Sequence, residues 1–318
     1  MGQIAKVNNI EIWWEDYGDK SNPSVLLIQG ANATCMDWPD QLIEDLVAND
    51  LHVVIFDNRD VGKSTWINGE PFFAKFAKFL PSGVSQKLVN YIFKAMVDSE
   101  GNLTLSDGSS AKYDLNDMAK DAIGLMDYLQ IDKAHIVGAS MGGMIAQIIA
   151  LEYSDRALTL IPIMSSPGMG DPNLPGMTVE FTEKMKQFFL LNMQGEFKEA
   201  NVVLFRGLSG SRFSFDEAKF RLEMERGMAH GNNPYAGHGE ATGASPYRKE
   251  RLHEIKTPTL VIHGSEDPIL PVEHGLTLAE NIPNAKKYIM EGVGHEMPEQ
   301  MLSEIINEML NLFNQSST

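Results

Sequence analysis

The chain has one cysteine, Cys35, so no internal disulfide can form, and a reducing, cytoplasmic setting is the simpler expectation. It has no stretch of roughly eighteen uncharged apolar residues, which argues against a membrane-spanning helix. The opening residues, MGQIAKVNNIEIWWEDYGD, lack both a basic start and an apolar run and do not read as a signal peptide. A myristoylation signal would need Ser or Thr where Lys6 stands. Positive charge is scarce: 26 Lys and Arg against 43 Asp and Glu leave a net charge of −17. Such a surface repels phosphate backbones, so a nucleic-acid partner is disfavoured. There is no Cys/His ligand spacing and no His-Glu-x-x-His, so neither metal nor cofactor is expected. Gly62-Lys63-Ser64 looks like the end of a phosphate-binding loop, but the glycine needed five residues before Gly62 is Asp57, whose charge opposes phosphate.

What is present is an apolar content of 43% in 318 residues, enough for one α/β domain with insertions. Short apolar runs occur at Ile10 to Trp14, Ser24 to Ile28, His52 to Phe56, Ala134 to Val137, Leu158 to Met164, Thr259 to Ile262 and Lys287 to Met290. Unbroken runs of this kind suit strands buried on both faces. Between them lie helical patterns at Asp37 to Asn49, Asp114 to Gln130, Met141 to Tyr153, Val272 to Asn281 and Glu299 to Phe313. The alternation predicts an α/β fold with a mostly parallel sheet wrapped by helices.

Two stretches break the rhythm and are expected to sit above the sheet. Residues 168–252 carry helical patterns near 178–194, 196–206 and 216–230, with the Asn232 to Gly239 stretch as loop, and are read as a helical cap. Residues 1–167 and 253–318 then form the core. Residues 67–112 are a further helical insertion, with Phe72, Phe73, Phe76, Phe79 and Leu80 and then Val84, Leu88, Tyr91, Ile92 and Met96 at helical spacing, lysines interleaved. A lid helix packed on the cap and narrowing the entrance to the site is the favoured reading, with a homodimer contact or an interfacial anchor as alternatives.

Gly138-Ala-Ser140-Met-Gly142 fits G-x-S-x-G and lies between a predicted strand and a predicted helix. That context matters more than the pattern, because a tight strand-to-helix turn lifts Ser140 above the sheet at a helix N-terminus that favours negative charge. A serine hydroxyl needs a base, and the base an orienting carboxylate. Downstream, Asp267 follows the run ending at Ile262, and His295 follows the last strand, so both project from strand C-terminal ends. Glu266 is the competing acid. His52, His135 and His263 sit on strands and read as structural; His274 reads as a helix-face residue; His230, His238 and His253 fall in the cap or its return. For the oxyanion, the Met141 amide is one expected donor and the Ala31 amide the other, with Asn32 as fallback. Asp57 and Arg59 are expected to brace their loop through a buried ion pair.

With Gln29-Gly-Ala-Asn32, Asp37-Trp-Pro39, Asp57-Asn-Arg59-Asp-Val-Gly62-Lys-Ser64, the Ser140 turn, the Asp267 turn and Val293-Gly-His295, the chain resembles the α/β-hydrolase fold family, and within it the esterases grouped with aclacinomycin methylesterase. The resemblance covers about residues 1–66 and 113–315; the segment 67–112 has no counterpart in it, and many members have His-Gly where this chain has Gln29-Gly30. It implies a mostly parallel eight-stranded sheet with flanking helices, and hydrolysis of small to medium carboxylic esters without metal or cofactor. The reading is therefore a serine carboxylesterase with an apolar pocket under a cap rich in Met and Phe. Carbon–carbon bond hydrolysis, proline iminopeptidase action and a non-enzymatic small-molecule receptor on the same fold stand as alternatives.

Overall fold

In a computed structural model, which describes residues 2–70, 76, 79–96, 108–231 and 233–316, the apolar runs become one eight-stranded sheet in the order β1-β2-β4-β3-β5-β6-β7-β8. The strands are β1 (Gln3–Val7), β2 (Ile10–Tyr17), β3 (Ser24–Ile28), β4 (His52–Phe56), β5 (Ala134–Ala139), β6 (Ala157–Ile163), β7 (Leu260–Gly264) and β8 (Lys286–Met290). β2 runs antiparallel to β1 and to β4, and the strands from β4 across to β8 are mutually parallel. β1 is an addition to the sequence reading: it pairs with β2 through Asn8 and Asn9, both at positive φ, a two-residue turn that asparagine tolerates.

Successive side chains on a strand face opposite ways, and the core divides accordingly. Leu26, Ile28, Val54, Phe56 and Ile136 join one apolar layer with α3 (Leu115–Tyr128) and α4 (Met141–Glu152). Val25, Leu27, Val53, Ile55 and Val137 join the other with α1 (Asp40–Ala48) and α10 (Leu302–Ser316). The start of α3 is set by Asp114, whose carboxylate accepts from the amides of Asn116 and Asp117 and satisfies two of the free N–H groups of the first turn.

Between β6 and β7 the chain forms α5 (Val179–Gln194), α6 (Phe197–Leu208), α7 (Glu217–His230) and α8 (His238–Ala244). The last of these begins inside the stretch expected to be loop. Between β4 and α3 lies α2 (Ser82–Met96), whose Val89 and Phe93 are buried against Phe181, Met185 and Leu208 of the β6–β7 helices. Phe72, Phe73 and Asn232 lie outside the described residues. Helix α9 (Glu273–Asn281) completes the set between β7 and β8. No described helix is long and apolar enough to cross a membrane.

One expected interaction is corrected. Asp57 and Arg59 do not pair: Arg59 Nε donates to Asp121 of α3 at 2.7 Å, while Asp57 accepts from the amides of Cys35 and Lys63 and from His230 Nε2 at 2.7 Å. The donors that saturate Asp57 arrive from two loops and from α7, which leaves Arg59 to take the nearest free carboxylate.

Burial also lowers the pKa of several core histidines. His135 stacks on Phe313 with ring centroids 4.0 Å apart, and desolvation pushes its pKa down from 6.5 to about 4. Burial pushes His238 and His274 down as well. The His135 ring is neutral when folded but takes up a proton when unfolded, so its contribution is present above about pH 6.5 and is lost as pH falls towards about 4. Urea unfolding should show stability falling through that window, with His135 alone accounting for on the order of 3 kcal/mol. A flat profile between about pH 7 and about pH 4.5 would contradict this assignment.

Candidate active site

The turn from β5 into α4 can form only because two positions lack side chains. A Cβ on Gly138 would lie 2.1 Å from the Gly142 carbonyl oxygen, and one on Gly142 would lie 2.0 Å from the Ile28 carbonyl oxygen of the neighbouring strand. Ser140, held between them at φ 52° and ψ −118°, occupies a conformation that side-chain-bearing residues rarely adopt. The strain is sustained by its surroundings: the Ser140 amide donates to the Ile163 carbonyl at 2.8 Å, and its carbonyl accepts from Ser165 Oγ at 2.8 Å.

The loop after β3 faces this turn. A Cβ on Gly30 would be 3.2 Å from Ser140 Cβ, so the Gly30 backbone passes directly beside the serine. The Gly30 amide donates to Gln29 Oε1 at 3.0 Å, and the Asn32 amide donates to His238 Nδ1 at 2.8 Å. Asn32, the fallback donor, is therefore already committed to His238. The Ala31 amide between them has no hydrogen-bond partner among the described residues. Met141 opens α4, where first-turn amides have no intrahelical acceptor.

On the other side of the sheet's C-terminal edge, His295 Nδ1 donates to Asp267 Oδ2 at 2.6 Å. Asp267 lies just past β7 and is buried; its other oxygen accepts from the amides of Ile269 and Leu270 at 3.0 and 2.8 Å. Burial alone would raise this carboxyl, but the neighbouring His295 charge and the hydrogen bonds from His263 and His295 outweigh it and hold the group well below the usual carboxylate range. An ionised Asp267 fixes the proton on His295 Nδ1 and leaves Nε2 free as an acceptor. Glu266 turns the other way and accepts from the Ser211 amide and hydroxyl.

The sequence reading missed two histidines that touch this arrangement. His263, read as structural, donates from Nε2 to the Leu270 carbonyl at 2.7 Å and lies 3.3 Å from Asp267 Oδ2. His238 spans from the Asn32 amide to the Arg59 carbonyl, tying the loop beside Ser140 to α8. Their separation in sequence from the loops they brace gave no signal, although the four-residue step from His263 to Asp267 was visible. Cys35, Asp57 and His230 bring donor atoms within 4.8 Å of one another, but Asp57 is occupied by the hydrogen bonds described above. Desolvation, reinforced by the Asp57 charge, pushes the Cys35 thiol far up, so this sulfur stays protonated and unreactive.

The family model described as alpha/beta hydrolase fold matches residues 23–300. The chain belongs to the α/β-hydrolase fold family. Among similar hydrolases, rhodomycin D methylesterase of Streptomyces peucetius is 26% identical over 311 residues, covering 92% of this chain and 91% of that protein. A 2-hydroxy-6-oxononadienedioate/2-hydroxy-6-oxononatrienedioate hydrolase of Comamonas testosteroni is 32% identical over 185 residues, 56% of this chain and 61% of its own length. The enol-lactonase structure of Burkholderia xenovorans superposes with a TM-score of 0.71 at 20% identity, covering 98% of this chain and all of that one, which speaks for the fold.

The strain at Ser140 has a measurable consequence for this hydrolase. Glycine adopts positive φ readily, whereas alanine keeps the steric conflict. Ser140→Gly should therefore be more stable than Ser140→Ala by about 1 kcal/mol in thermal or urea unfolding. Equal stability of the two variants would show that the turn is not strained in solution.

Proposed function

We propose that this hydrolase is a serine carboxylesterase acting on small to medium carboxylic esters. The observation that carries the proposal is the hydrogen bond from His295 Nδ1 to the buried Asp267 carboxylate, formed at the same sheet edge as the strained Ser140 turn. In this reading Ser140 Oγ attacks the ester carbonyl carbon while His295 Nε2 takes its proton. The carbonyl π electrons move onto oxygen, and the amides of Ala31 and Met141 receive that oxyanion. As the tetrahedral intermediate collapses, the bond to the alkoxy oxygen breaks and His295 delivers its proton to the departing alcohol. Water then attacks the acyl-serine, again losing its proton to His295, and the carboxylic acid leaves with Ser140 restored.

Asp267 contributes by orienting the imidazole and stabilising its charged form, not by accepting a proton, in line with the cause of its lowered pKa. No resident cofactor enters this scheme. The full-length similarity to a methylesterase supports the ester reading, since it spans both the core and the β6–β7 helices. The higher identity of the 2-hydroxy-6-oxo-dienoate hydrolases over a shorter region favours carbon–carbon bond hydrolysis as the second reading. A panel of p-nitrophenyl esters of graded acyl length, run beside a 2-hydroxy-6-oxo-dienoate, separates the two by kcat/KM.

Ser140→Ala and His295→Ala should each lower kcat for ester hydrolysis by at least ~10⁴, with Asp267→Asn somewhat milder. Glu266→Gln should leave kcat within about twofold, because its side chain serves Ser211. A tenth of the activity surviving in Ser140→Ala, or a Glu266→Gln defect larger than that of Asp267→Asn, would refute the assignment.

The pH profile gives a separate check. Only unprotonated His295 can accept the Ser140 proton, so kcat/KM should decline on the acid side with uptake of a single proton. Asp267 stays ionised throughout that decline because its pKa is lowered. The profile should be the same in a chelator, and activity lost in the chelator but restored by a divalent ion would contradict a metal-free base.

A further inference from the structure

Helix α2 is apolar on two sides. Val89 and Phe93 are buried against the β6–β7 helices, yet Val84, Leu88, Tyr91 and Ile92, the last two 73% and 42% accessible, form a second stripe that faces outward. Phe79 and Leu80, just before the helix, and Phe76 are also exposed. At 3.6 residues per turn, the exposed Lys87 and Lys94 fall along the border of the outward stripe, on the side away from Val89 and Phe93. A helix that needed only to cover the cap would carry polar residues on its outer face.

The charge of the segment is as unusual as its apolarity. Residues 71–97 contain four lysines and no acidic residue, whereas the whole chain has a net charge of −17. Of these, Lys87 and Lys94 border the outward apolar stripe that α2 leaves exposed among the described residues. A second copy of this chain meeting the first through this face would set lysine against lysine. An anionic lipid surface instead offers apolar chains to the stripe and negative headgroups to the lysines at its border.

We infer that the outward face of α2, with Phe79 and Leu80, docks on anionic lipid surfaces and attaches the protein to them peripherally. This inference is independent of the reaction at Ser140. It extends to the lipid interface an insertion otherwise expected to act as a lid, and the two uses are compatible because neighbouring, distinct stripes of α2 serve them.

The test is flotation of the full chain with phosphatidylcholine vesicles containing about a third phosphatidylglycerol, against vesicles of phosphatidylcholine alone. Binding should require the anionic lipid and weaken on raising salt from about 0.05 M to about 0.5 M. Lys87→Gln/Lys94→Gln should lower partitioning on the order of tenfold or more, and Leu88→Ser/Tyr91→Ser/Ile92→Ser should abolish it. Thermal melts of both variants should match the parent, since every altered side chain is exposed. No binding, or equal binding to both vesicles, would overturn the inference. A dimer in sedimentation velocity that the triple substitution dissociates, with no vesicle binding, would likewise overturn it and assign the face to a second copy.

Discussion

The rest of the site depends on one close approach of backbones. The first turn of α4 presses against the end of β3 so tightly that the Ile28 carbonyl fills the space a side chain on Gly142 would need. That contact places the helix N-terminus above the sheet, holds Ser140 at positive φ, and brings the Gly30–Ala31 loop alongside it. Strain of this kind persists only where the surroundings over-determine it. Here they include two buried apolar layers, the Ile163 carbonyl and the Ser165 hydroxyl.

The helices between β6 and β7 are coupled to the core by specific polar contacts as well as by packing. The His295 amide donates to the Leu208 carbonyl at 2.8 Å, and the Gly210 amide donates to Glu296, so the end of α6 is tied to the loop that carries the proposed base. His230 at the end of α7 reaches the fully buried Asp57, and Arg226 pairs with Asp40 on α1. The buried hydrogen bond outweighs the exposed pair: losing the His230 donor leaves a buried acceptor short of a partner, at about 1–3 kcal/mol, whereas a surface ion pair contributes about 0–1 kcal/mol. The orientation of the imidazole thus rests on both the Asp267 turn and the end of α6 that contacts its loop.

Much of this was legible in the chain because its signals are local. β3 and β4 begin and end where their apolar runs do, and Asp114 announces the start of α3 through its capping geometry. β1 was missed although Asn8-Asn9 between Val7 and Ile10 is a hairpin signal; its strand is short and only alternately buried, so no apolar run marks it. The partner of Arg59 was misjudged because nearness in sequence favoured Asp57, while the fold delivers Asp121 from 62 residues away. The links from His238 to the loop after β3 and from His230 to Asp57 span 206 and 173 residues, beyond the reach of any spacing rule. The apolar residues of α2 were visible as a series, but only their burial separates the stripe packed on the β6–β7 helices from the one that faces outward.

The most direct test of an activated serine is its covalent capture. A p-nitrophenyl alkylphosphonate should react with one residue per chain, releasing one equivalent of p-nitrophenol, and peptide mass mapping should place the adduct on Ser140. His295→Ala should slow the labelling by orders of magnitude, because the hydroxyl then has no base. Absence of an adduct, an adduct elsewhere, or labelling of Ser140 at an undiminished rate in His295→Ala would contradict the account.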